Sequence, residues 1–129
     1  MPDILHKVGI NASPDAVYKA LATLNGLSGW WTADATGDSN PGGVIHFRFG
    51  DRGFIDMEVT QSDPGKRVLW RVVGGPDAWI GTKVGFDLVS ADGFTAVLFK
   101  HQDWKAPNEF MHHCSTKWAM FLMLSLIHI

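Results

Sequence analysis

The sequence predicts an α+β domain in which a curved antiparallel sheet wraps a long C-terminal helix and leaves an apolar, tryptophan-lined space between them. Three observations predict it. Strand-like segments run together through the middle of the chain instead of alternating with helices. Short turns rich in Gly, Asp and Pro separate them, and connections that short join antiparallel neighbours. From Asn108 onward there is neither Pro nor Gly, so the chain reads as one long helix.

Residues 3–11 alternate, with Ile4, His6, Val8 and Ile10 on one face, which is a strand pattern. Ser13-Pro14-Asp15 is a helix start: a capping hydroxyl, a proline at the first helical position and an acid at the positive end of the dipole. Val17, Ala20, Leu21 and Leu24 follow at helical spacing, and Asn25-Gly26 is expected to end that helix in a left-handed cap. Leu27 to Trp31 reads as a short second helix or turn. Residues 34–43, rich in Asp, Gly, Ser, Asn and Pro, read as a loop. Strands are then expected at Val44–Phe49, Phe54–Gln61, Arg67–Val73, Trp79–Val89 and Phe94–His101, with a second loop from Asp103 to Pro107 before the final helix. Met111, Cys114, Ser115, Trp118, Phe121 and Leu122 form one stripe of that helix.

Strand parity gives the sheet one apolar and one charged face. Ile45, Phe47 and Phe49 oppose His46 and Arg48; Ile55, Met57 and Val59 oppose Asp56 and Glu58; Val68, Trp70 and Val72 oppose Arg67 and Arg71. Thr82, Val84, Phe86 and Leu88 oppose Lys83 and Asp87, and Thr95, Val97, Phe99 and His101 oppose Leu98 and Lys100. The apolar face needs a cover, and the final helix supplies it. Thr82, Thr95 and His101 interrupt the inner face, with His113 and Lys117 close to the helix's inner stripe. A few polar groups among aromatics suit either a packed core with a polar rim or a small-molecule pocket.

At 129 residues the chain is expected to form a single domain, 1–129. Six tryptophans and eight phenylalanines are a heavy aromatic load for this length, so some rings are expected to pack the core and others to line a cavity. A net charge of −2 without a basic block argues against nucleic-acid binding. Cys114 is the sole cysteine and cannot pair internally, which suggests a reducing, cytoplasmic setting. The N-terminus lacks a signal-peptide pattern, and the apolar run Trp118–Ile129 is too short to span a bilayer.

Particular residues resemble a known family. They are Asp3-Ile4-Leu5-His6, Asn11-Ala12-Ser13-Pro14 with Val17-Tyr18, Gly29-Trp30-Trp31-Thr32, Gly42-Gly43-Val44-Ile45 with Phe47-Arg48-Phe49, and Val68-Leu69-Trp70-Arg71-Val72. Trp79-Ile80-Gly81-Thr82, Phe86-Asp87-Leu88 and Phe110-Met111-His112-His113-Cys114-Ser115 complete the pattern. Together they resemble the START-like, Bet v-type superfamily (SRPBCC), in the branch named for the activator of the heat-shock chaperone ATPase and often described as polyketide-cyclase-like. The resemblance reaches to about Leu122. It implies the helix-grip fold, six or seven antiparallel strands gripping the last helix around a hydrophobic cavity. Family members continue that helix with charged residues, whereas only Ser125 and His128 are polar between Trp118 and Ile129. The native helix is therefore expected to be cut short or altered after about residue 123, with Leu124–Ile129 partly a translated adapter remnant.

Several chemistries are missing. There is no nucleophile elbow, P-loop, dinucleotide fingerprint or H-E-x-x-H, so no cofactor is expected. His112-His113-Cys114 does not predict a metal site, because adjacent helical side chains diverge by about 100°. His101, Asp103, Glu109 and His113 could gather near the end of the last strand for acid–base work, with His101 and His113 the catalytic candidates; local capping is the plainer reading. Trp30, Trp31, Trp79 and Trp104 fall at loops and helix ends, either as a lid or partner surface or as satellite core.

The expected ligand-binding residues are Trp31, Phe47, Phe49, Met57, Trp70, Thr82, Phe86, Phe99, His101, Trp104, Phe110, Cys114 and Trp118. Thr82, Thr95, His101 and His113 would orient polar ends of the ligand. The leading expectation is a module that buries a hydrophobic small molecule, a lipid or cyclic natural product. The alternatives are a cyclase- or hydrolase-type enzyme using the same cavity, and a co-chaperone-like ATPase activator whose chaperone partner the resemblance alone implies.

Overall fold

A computed structural model of the protein describes residues 2–129. It contains seven strands and three α-helices: β1 (Ile4–Ile10), α1 (Pro14–Ala22), α2 (Leu24–Trp30), β2 (Asp34–Gly37), β3 (Val44–Arg48), β4 (Phe54–Asp63), β5 (Arg67–Gly74), β6 (Lys83–Ala91), β7 (Phe94–Gln102) and α3 (Glu109–Leu124). The strands form one antiparallel sheet in the order β1-β7-β6-β5-β4-β3-β2. Every neighbour but one is joined by a short connection; β1 instead pairs with β7, Ile4 opposite His101 through Ile10 opposite Thr95. The sheet stays open, and irregular register between β4 and β5 at Asp56/Met57 and Val59/Gln61 adds the bulges that bend it.

The expected capping appears in the structure. The Ser13 hydroxyl accepts from the Ala16 N–H with Pro14 opening α1, and the Asn108 side chain accepts from the Met111 N–H at the start of α3. On the inner face Phe47, Met57, Val59, Val68, Trp70, Val72, Val84, Phe86, Val97 and Phe99 are all at most 1% exposed. The buried residues of α3 are Met111, Cys114, Trp118 and Leu122, four of the six stripe positions read from the sequence; Ser115 and Phe121 are half-buried. The His6 Nε2–H donates to the Ser115 carbonyl at 3.1 Å, fastening α3 to β1.

Three boundaries differ from expectation. Asn25-Gly26 does not end the first helix: α1 stops at Ala22, and both residues lie inside α2. Thr23 makes the break, its hydroxyl donating to the Lys19 carbonyl and accepting from the Gly26 N–H. Gly26 is there because α2 crosses the end of α1 so closely that a Cβ would stand 2.1 Å from the Lys19 carbonyl oxygen. Within the expected loop 34–43, Asp34–Gly37 is an edge strand paired with β3. The stretch Trp79–Thr82 is not strand but a turn, in which the Trp79 N–H donates to the Pro76 carbonyl and the Thr82 N–H to the Trp79 carbonyl. Beyond α3, a short 3-10 turn at Leu126–His128 folds back and buries Leu126.

Candidate functional site

A pocket of about 440 Å³ opens between α3, the turn after β3 and the loop between β5 and β6. Its depth is made of indoles. Trp31, at the C-terminal cap of α2, lies 4.9 Å from Trp118 of α3 between ring centroids, and Trp79 stacks on Trp118 at 5.9 Å. Trp79 reaches this position because the β5–β6 loop turns at Gly75, whose φ of +123° and approach to the Phe54 carbonyl exclude a side chain. Phe49, Phe54, Phe110 and Phe121 form the walls, and Arg52, His113 and Lys117 bring polar groups. Phe54 and Phe110 remain 45% and 40% exposed, so apolar surface faces solvent at the mouth.

Behind the indoles lies a buried hydrogen-bond chain. The Trp118 Nε1–H donates to Nδ1 of His101 at 3.1 Å, so that nitrogen must be the unprotonated one. The Nε2–H of His101 then donates to the Thr82 hydroxyl at 2.7 Å, and that hydroxyl donates onward to the Trp79 carbonyl. Every donor has an acceptor, and burial holds the imidazole pKa down to about 3. His101 is thus a neutral tie between β7, α3 and the Trp79 turn, with neither nitrogen free for proton transfer. Cys114 accepts the Trp79 Nε1–H at 3.3 Å, and burial pushes its thiol pKa up.

A family described as "Activator of Hsp90 ATPase homolog 1-like protein" matches residues 11–126. The Aha1 dimer from Colwellia psychrerythraea, solved in solution, is 43% identical over 95% of this chain and 92% of that one, with a TM-score of 0.88. The chain belongs to the activator of Hsp90 ATPase homolog 1-like family. DynU16, from the dynemicin biosynthetic locus, shares the fold at 20% identity and TM-score 0.78, over 98% of this chain and 46% of that one. CalU16 from Micromonospora echinospora does so at 18% identity and TM-score 0.71, over 93% of this chain and 71% of that one. No curated protein matches the sequence. The seven-stranded sheet around α3 is the helix-grip architecture that the sequence resemblance implied.

In this family member only some of the sequence-predicted site residues line the pocket. Trp31, Phe49, Phe110, Cys114 and Trp118 come together around the pocket, with His113 beside them. Phe47, Met57, Trp70, Phe86 and Phe99 lie outside its lining, packed against one another in the core, as in the Trp70–Phe86 edge contact at 5.3 Å. Thr82 and His101 belong to the hydrogen-bond chain behind it, and the Thr95 hydroxyl donates to the Ala12 carbonyl. Trp104 is buried against His101 and Trp79, its indole N–H without a partner among the described residues. Trp30, Trp31, Trp79 and Trp104 are all buried, Trp30 donating its N–H to the Ala20 carbonyl.

The four acid–base candidates stand in different surroundings. His101 is sealed in, His113 is exposed, Glu109 stands in the first turn of α3, and Asp103 is 3.4 Å from Lys83. Among the described residues no group of His, Cys, Asp and Glu has the arrangement of a metal site. The ligand-binding set read from the sequence left out Arg52, Phe54, Trp79, Lys117 and Phe121. Phe54 sits at a strand end and Arg52 in a turn, where alternation says nothing about orientation, whereas Trp79 at a loop edge and Lys117 and Phe121 on or beside the inner stripe of α3 did carry a signal. Among the described residues no helix is long and apolar enough to cross a membrane.

Proposed function

We propose that this protein binds a hydrophobic small molecule, a lipid or a cyclic natural product, in the pocket between α3 and the β3–β4 and β5–β6 connections. One observation carries the reading. Three indoles meet at the base of an open pocket whose Phe54 and Phe110 walls are left facing water. Covering such surface is worth about 25 cal/mol per Å² before ordering costs, and a mostly aromatic lining with few polar groups is the usual makeup of a small-molecule site. Membership of a family whose fold is shared with DynU16 and CalU16 supports a ligand-binding or cyclase-like role in general terms. Within that range, binding is favoured over catalysis because His101 has no free nitrogen to offer a substrate.

The proposal includes one domain over residues 1–129, its last helix altered after about residue 123, acting in the reducing cytoplasm with Cys114 as a buried thiol. Native mass spectrometry of the purified protein, followed by thermal shift against lipids and aromatic natural products, tests it. A co-purifying apolar molecule, or a stabilising compound whose effect is lost in Trp79→Ala, is expected. A protein that carries nothing and is shifted by nothing would overturn the reading. Stimulation of chaperone ATPase activity would then become the assay of choice, on the strength of the family alone.

A further inference from the structure

Resting on the pocket reading, we infer that the ligand is an amphipathic anion, an apolar body carrying one carboxylate or similar oxyanion group. The charged and titratable groups around the pocket carry this. Arg52 comes from the turn between β3 and β4, and His113 and Lys117 lie one helical turn apart on α3. Among the described residues no Asp or Glu lines the pocket. The chain as a whole is net negative, at −2, so this run of basic groups is against its average.

Of the nine other Lys and Arg residues, four are ion-paired: Arg67 and Lys100 with Asp87, Arg71 with Glu58, and Lys83 with Asp103. The other five, Lys7, Lys19, Arg48, Lys66 and Lys105, have no ion pair among the described residues, and neither do Arg52 and Lys117. What distinguishes Arg52 and Lys117 is their place in an apolar lining without an acid. With the pocket open, water solvates them. A neutral apolar ligand would strip part of that water and give nothing in return, which costs free energy. A ligand whose oxyanion meets the guanidinium fork or the ammonium offsets the loss while its apolar body covers Trp31, Trp79 and Trp118. The basic mouth would also draw such a ligand in, more strongly at low salt.

A matched pair of fluorescent probes tests this on the full chain: anilinonaphthalene sulfonate, and phenylnaphthylamine, the same ring system without the sulfonate. The sulfonate should bind more tightly than the neutral probe at low salt and lose that advantage as salt rises. Arg52→Gln and Lys117→Gln should each weaken the sulfonate about two- to fivefold, and the double variant about tenfold. All three variants should leave the neutral probe within about twofold of the parent, because the apolar lining is untouched. If the neutral probe binds while the ratio of the two affinities is unmoved by the substitutions, the anion inference is overturned and the pocket reading stands. If neither probe binds, the pocket reading itself fails.

Discussion

The indole N–H of Trp118, on the final helix, donates to Nδ1 of His101, on the last strand, at 3.1 Å. This contact fixes which histidine nitrogen carries the proton and passes the constraint through Thr82 to the turn that holds Trp79. A buried histidine with a fixed tautomer is a structural part, and the pocket wall depends on it.

Replacing Thr82 by Val keeps the side-chain volume but leaves the His101 Nε2–H without an acceptor. Orphaning a buried polar group costs about 1–3 kcal/mol. Thr82→Val should lower the urea midpoint accordingly with an unchanged m-value. In a His101→Leu background the same substitution should cost clearly less, since the orphaned donor is gone. Equal costs in both backgrounds would show that the chain is not coupled.

The His101 pKa of about 3, against an ordinary 6.5, sets a pH dependence. Its folded pKa is depressed, so the unfolded chain takes up a proton near 6.5 that the folded chain refuses until about 3. The protein is therefore at full stability from this group above 6.5 and loses up to about 1.4 kcal/mol per pH unit as the pH falls toward 3. Denaturation midpoints of wild type and His101→Gln, measured from pH 7 down to pH 4, should converge as wild type falls faster. Parallel curves would contradict the assignment.

Two glycines of α2 should respond oppositely to alanine. At Gly26 the added methyl would stand 2.1 Å from the Lys19 carbonyl oxygen and 2.6 Å from the Ala20 Cα, so Gly26→Ala should destabilise by about 1–3 kcal/mol or more. At Gly29 nothing lies within 4 Å, and Gly29→Ala should stabilise by about 0.5–1 kcal/mol through helix propensity and a less flexible unfolded chain. Thermal melts of the two variants check this, and a destabilised Gly29→Ala would show that α2 is wrongly placed.

Cys114 is 5% exposed and its thiol pKa is raised, so it should react with a thiol reagent at neutral pH far more slowly than in urea. Because it lines the pocket, a bound ligand should slow it further. Reaction at the rate of the unfolded chain would mean the pocket base is open to solvent.

The sheet and its cover were legible because alternation and periodicity report which face an element buries. Ile45 and Phe47, or Val68, Trp70 and Val72, can face only one way once the strand is recognised. The missed boundaries were set by tertiary contacts. Gly26 looked like a helix terminator, yet its purpose is the close crossing of α1 and α2. Asp34–Gly37 carries no alternation because, as an edge strand, three of its four residues are exposed. The site was less legible than the fold. Phe47, Trp70, Phe86 and Phe99 have the same pattern in sequence as rings that line a pocket, and only the three-dimensional packing shows them closed in on each other. His101 looked reactive because its partners, Thr82 and Trp118, are distant in sequence and no spacing rule joins them.

The six tryptophans allow the central claim to be tested residue by residue. Fluorine NMR of protein labelled with fluorotryptophan, titrated with phenylnaphthylamine, reads all of them at once, with assignments from single Trp→Phe variants. The account predicts the largest changes at Trp31, Trp79 and Trp118, which line the pocket, and smaller ones at Trp30, Trp70 and Trp104, which do not. No change at saturating probe, or changes centred on Trp30, Trp70 or Trp104, would contradict it.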